Sequence, residues 1–133
     1  MLVHFPVALW PAHEGLHLFA SQFPAGAAAT VGFWLLVVGT ALGWLAAIFG
    51  LTDLVALSQE NDPPRLSKGI IHAVVNGSTL IGFTVIVALE YSAFPAIAHG
   101  GGFLAGEAVL LVAMFVGNYF GGAMIWPRSL QSS

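Results

Sequence analysis

Residues 28–51 read AATVGFWLLVVGTALGWLAAIFGL, and this stretch decides the fold. It contains no ionisable side chain. At ~1.5 Å per residue, a helix of this length crosses the ~30 Å hydrocarbon layer of a bilayer. In lipid the backbone must satisfy its own hydrogen bonds, so the run reads as a membrane-spanning helix. Gly32, Gly39, Gly43 and Gly50 recur along it at spacings of seven, four and seven, on one helical face. Small residues let helix backbones approach closely in lipid, so this face reads as a packing face within the bundle, with a dimer contact as the alternative.

Outward from this segment, three more apolar runs appear. The expected spans are about 2–23, 28–51, 69–91 and 103–126, within a single membrane domain covering 1–133. The implied fold is all-α: a four-helix transmembrane bundle with up-down topology. Pro24 and Gly26 mark the first turn, residues 53–68 the polar second loop, and Pro95 with Gly100–Gly102 the third. Pro6 and Pro11 interrupt the first span, which proline can do where neighbouring helices re-satisfy the freed carbonyl. The N-terminal run lacks a basic flank and is broken by Pro11, His13, Glu14 and His17, so it reads as a retained helix rather than a cleaved leader.

Composition agrees. The chain of 133 residues is 58% hydrophobic and 7% charged, against about a quarter charged in an ordinary soluble domain. Only Arg65, Lys68 and Arg128 are basic, which excludes a nucleic-acid surface and a polybasic lipid-binding segment. With four spans all three lie on the side of the termini, so the positive-inside rule puts both termini in the cytoplasm of a bacterial inner membrane. There is no cysteine, so disulfides, iron–sulfur clusters and thiolate metal sites are excluded. Histidine and carboxylate remain as strong metal ligands.

The opening Leu2-Val3-His4-Phe5-Pro6 resembles that of a family of small bacterial four-span membrane proteins of unknown function with a VHFP-type motif. Gly50-Leu51-Thr52-Asp53, His72-Ala73-Val74-Val75-Asn76 and Gly121-Gly122 are similar to further short motifs of that family, in the same order. The resemblance implies four spans and no agreed activity. A His-Pro pair before the first motif and a polar tail carrying histidine, frequent in such relatives, are absent here. The chemistry must therefore come from the residues themselves.

Polar groups inside a bilayer are costly, at roughly 2.5–3.5 kcal/mol per charged residue, and tend to mark function. They fall into two layers. Toward the cytoplasmic side, His4 begins span one, His72 begins span three, and Asp53 closes span two. His72, Asn76, Thr79, Phe83 and Glu90 share one stripe that should face the interior. Diagonal helices in a bundle lie about 11–14 Å apart, which suits a haem b held between His4 and His72, with Asp53 and Asn76 orienting the rings. A bare metal on His4, His72 and Asp53, and a buried polar network without cofactor, stay open as alternatives. Val85 stands where a second haem ligand thirteen residues after His72 would be, which argues against two haems.

Toward the opposite side, His13-Glu14-Gly15-Leu16-His17 matches His-Glu-x-x-His. Residues four apart on a helix can share one ion, so His13, Glu14 and His17 could bind zinc, copper or iron, with Glu90, His99 or Glu107 completing the set. The motif also occurs in zinc proteases, but four short spans leave little room for a substrate groove. A wetted polar patch is the alternative. The favoured reading is a haem electron-transfer subunit beside a redox complex or exchanging with quinone, a carrier rather than an enzyme. A cofactor-free membrane anchor or assembly subunit comes second, and a metal-binding membrane protein using the outer His cluster third.

Overall fold

A computed structural model of the chain describes residues 4–24, 26–94 and 101–125. Four helices account for most of them: α1 (His4–Leu18), α2 (Ala27–Ser58), α3 (Pro63–Ala93) and α4 (Gly101–Ile125), with a 3-10 turn at Ala20–Gln22 between the first two. Each helix packs on its neighbours in chain order, and α4 returns to α1. The ring closes as an up-down bundle with α1 and α3 on one diagonal.

Among the described residues three helices, Ala27–Ser58, Pro63–Ala93 and Gly101–Ala123, are long and apolar enough to cross a membrane. Their outward faces carry Trp34, Ile48, Phe49, Val74, Ile81, Val112 and Phe115, all exposed. An aqueous protein could not tolerate so continuous an apolar surface, whereas lipid matches it. The first helix has 15 residues, about 22 Å of rise. It ends at Leu18, where the expected span continued to residue 23, because the chain tightens into the 3-10 turn. Gly26, at φ +77°, then starts α2 in a left-handed conformation that favours glycine.

The stretch expected as a polar loop, residues 53–68, is mostly helical. Only residues 59–62 stand outside the helices, because α2 runs on to Ser58 and α3 begins at Pro63. Asp62 caps α3 by accepting from the Arg65 N–H at 3.2 Å, and prolines occupy the first helical positions. Arg65 also pairs with Glu60.

The core is aromatic at its centre. Trp10 of α1 stacks on Phe83 of α3 across the diagonal, centroids 4.0 Å apart and planes 18° from parallel. Leu36, Leu80, Ile86 and Met114 surround the pair. The Trp10 indole donates to the Thr40 hydroxyl at 3.2 Å, so its polar edge is not stranded. The small-residue face of α2 works as expected at three positions. A Cβ on Gly39 would stand 3.0 Å from Trp10, one on Gly43 2.8 Å from Leu80, and one on Gly32 3.0 Å from His17. Gly50 has open space around it.

Candidate functional site

One helical turn beyond Trp10 on α1 come His13 and Glu14, and His17 follows a further turn on. On α3, Glu90 stands seven residues after Phe83; on α4, Glu107 stands seven before Met114. Each acid therefore lies two turns along the stripe of a core residue and faces the bundle interior. The three helices deliver these groups to one point. His13 and Glu107 are 0% exposed, Glu90 2% and Glu14 8%. His17 is half-buried.

The His13 ring organises the cluster. Its Nδ1 lies 3.0 Å from the Gly32 carbonyl, which can only accept, so Nδ1 carries the proton. Its Nε2 then points at two carboxylates, 2.9 Å from Glu107 Oε1 and 3.2 Å from Glu90 Oε1. The His17 ring sits edge-on to that of His13, with centroids 4.6 Å apart. One donor atom each from His13, His17 and Glu90 fall within 4.8 Å of one another. Gly32 makes room for both rings, since a Cβ there would be 3.0 Å from His17 Nε2 and 3.4 Å from His13 Nδ1.

Two imidazoles and two carboxylates so arranged can share a cation or a proton. Lacking either, they would hold like charges together in an apolar bundle, which is strongly unfavourable. The His13 and His17 pair expected from the His-Glu-x-x-His spacing thus meets Glu90 and Glu107, two of the three groups considered as completing ligands. The third, His99, lies outside the described residues. Glu14 is buried beside the cluster, close enough to Glu107 and His13 to interact electrostatically with both. The Gly32 carbonyl was not legible beforehand, because a backbone acceptor has no residue signature; the only hint was Gly32's place on the small-residue face.

The second expected site is built differently. His72 Nδ1 donates to the Gly117 carbonyl of α4 at 2.8 Å. Asn76, one turn on, donates to the His72 main-chain carbonyl at 3.2 Å, and its Nδ2 lies 3.0 Å from His72 Nδ1. Gly117 and Gly121 admit these side chains: added Cβ atoms would fall 2.5 Å from Asn76 and 2.6 Å from His72. His72 and Asn76 are therefore together, as their shared face implied, but against α4. Asp53 is exposed on α2, and among the described residues no hydrogen bond joins it to His72. His4 begins α1, and its side chain lies outside the described residues.

Fold and site together define an integral membrane protein, an all-helical bundle that buries a histidine–carboxylate cluster in its interior. The chain belongs to the family of predicted membrane proteins designated DUF2231, whose family model matches residues 1–133. This agrees with the expected family of small membrane proteins of unknown function. No curated protein and no solved structure matches the chain.

Proposed function

We propose that this chain is a membrane-embedded metal-binding protein in which His13, His17, Glu90 and Glu107 hold a divalent transition-metal ion. One observation carries the reading: His13 Nε2 faces two buried carboxylate oxygens at 2.9 and 3.2 Å while Gly32 fixes the opposite ring nitrogen. Ligands about 2.0–2.2 Å from one ion lie about 3–3.6 Å from each other, which these separations approach. A backbone carbonyl holding the far nitrogen of a metal-bound histidine is the usual supporting contact, and it leaves the near nitrogen deprotonated for the ion. Nitrogen and carboxylate donors without thiolate suit zinc or iron. Donors from three helices form a closed site, which favours a structural or electron-carrying centre over one that turns over substrate.

The test is elemental analysis of protein purified in detergent from cells supplied with iron, zinc, manganese and copper. About one ion or more per chain is expected, with its loss in His13→Ala and His17→Ala. Folded protein that carries no stoichiometric ion and takes none up on titration overturns the proposal. Arg65, Lys68 and Arg128 support a cytoplasmic position for the α2–α3 connection and both termini in a bacterial inner membrane. A reporter active only outside the cytoplasm, fused within residues 59–62, is expected to stay silent. A role beside a redox complex or quinone fits an electron-carrying centre.

A b-type haem on His72 is the second reading, favoured by one contact. Gly117 holds the His72 Nδ1–H and leaves Nε2 for an axial bond. Against it, His72, on α3, packs against α4, and the Trp10–Phe83 stack fills the α1–α3 diagonal further along the bundle. A Soret band lost in His72→Ala establishes the haem; no Soret band from protein made with ample haem ends it.

A further inference from the structure

The donors around His13 outnumber the needs of one ion. A four-coordinate ion on His13, His17, Glu90 and Glu107 Oε1 is complete. Among the carboxylate oxygens left over are Oε2 of Glu107 and Oε2 of Glu14, both buried and neither with a hydrogen-bond partner. They come from different helices, α4 and α1, on residues that are 0% and 8% exposed. The two side chains are near enough to interact electrostatically. Buried carboxylate oxygens are ordinarily satisfied, and an orphan pair calls for an explanation.

Charge points the same way. Glu14, Glu90 and Glu107 are three carboxylates in one apolar interior, and both histidines are neutral when they ligate. One divalent ion answers two of the three negative charges. The third carboxylate is then available to a second ion, and one hydroxide derived from water would balance the single positive charge that two divalent ions leave over.

From these two observations we propose that the cluster is a dinuclear, carboxylate-bridged metal centre, with Glu107 bridging through its two oxygens and Glu14 binding the second ion. This rests on the metal-binding reading above and adds a second ion to it. A bridging carboxylate presents one oxygen to each of two ions about 3.5–4 Å apart. Glu107 is disposed for this, with Oε1 on the His13 side and Oε2 unpartnered. Glu14 and His17 stand three residues apart on α1, a Glu-x-x-His spacing that puts both groups on adjoining parts of one helix face. Helical bundles that hold two ions use this spacing on two helices together with a single glutamate from each of two others; here α1 alone carries it, and the single-glutamate roles are open to Glu90 and Glu107. The ions this donor set accommodates are iron and manganese, which tolerate oxygen-rich coordination.

The experiment uses the full chain in detergent, stripped with chelator and titrated with Mn2+. Two ions per chain and an exchange-coupled electron paramagnetic resonance spectrum are expected. Glu14→Gln is expected to halve the stoichiometry to one and to restore the uncoupled six-line signal, with helix content by circular dichroism unchanged. One ion per chain in the wild type, with an uncoupled spectrum, overturns the dinuclear proposal and leaves the single-ion site standing. No ion in folded wild type overturns both. Because wild-type stoichiometry is itself decisive, the test survives a variant that does not fold.

Discussion

His13 and Gly32 are joined side chain to backbone, the ring Nδ1 lying 3.0 Å from the glycine carbonyl across the α1–α2 interface. The residue that supplies the acceptor also supplies the space, because no side chain stands between α2 and the two rings.

Gly32→Ala separates these effects. Alanine favours the helix over glycine by about 1 kcal/mol, and the carbonyl is retained. The new methyl would meet His17 Nε2 at 3.0 Å and His13 Nδ1 at 3.4 Å, so the rings must shift by a few tenths of an ångström. Near-native thermal stability is expected, with metal affinity about 10–100-fold weaker, as when a metal ligand loses its supporting contact. Competition against a chelator reads it. Unchanged affinity would show that ring placement does not depend on this clearance.

His13→Ala removes the ring that Glu90 and Glu107 share at 0% exposure. Breaking a buried charged cluster on one side costs about 3–5 kcal/mol. Metal-free protein in detergent is therefore expected to unfold at clearly lower temperature than metal-free wild type, which separates the effect from lost metal. Equal midpoints would mean that the two carboxylates do not rely on the imidazole.

Trp10 makes two separable contributions, the stack on Phe83 and the bond to Thr40. Trp10→Phe keeps a ring and loses the bond, which in membrane bundles is worth about 0.6 kcal/mol. Trp10→Ala opens a cavity, and core truncations of this size cost about 3–5 kcal/mol in water. The low end is expected here, because lipid supplies no hydrophobic drive between helices. Stability of both variants in one detergent should rank wild type, Phe, then Ala; a Phe variant as unstable as Ala would assign the whole effect to the hydrogen bond.

Gly121 and Gly122 are neighbours with opposite tolerances. A Cβ at Gly121 would lie 2.6 Å from the His72 ring, whereas one at Gly122 meets nothing within 4 Å. Gly121→Ala is expected to push α3 from α4 and to destabilise by roughly 1–3 kcal/mol, as overpacking does. Gly122→Ala is expected to be neutral or slightly stabilising. Thermal unfolding of the pair checks this, and equal effects would place the α3–α4 contact elsewhere.

The bundle was legible in the chain because lipid imposes one rule, an apolar helix of sufficient length, and α2, α3 and α4 obey it plainly. The connection at residues 59–62 was not, because polarity at residues 53–68 reports departure from the membrane rather than departure from the helix. In the site, the spacing of His13 and His17 announced a shared face. That Glu90 and Glu107 both converge on His13 depends on how α3 and α4 rotate about their axes, which no local pattern encodes. The rotation of α3 also turned His72 and Asn76 toward Gly117 and Gly121 of α4, while Asp53, on α2, is exposed.

The bond between His13 and Glu107 spans 94 positions of the chain. During synthesis α1 emerges first and α4 last, so His13 is made well before Glu107 exists. The buried ring of the first helix thus gains this partner only when the last helix has docked.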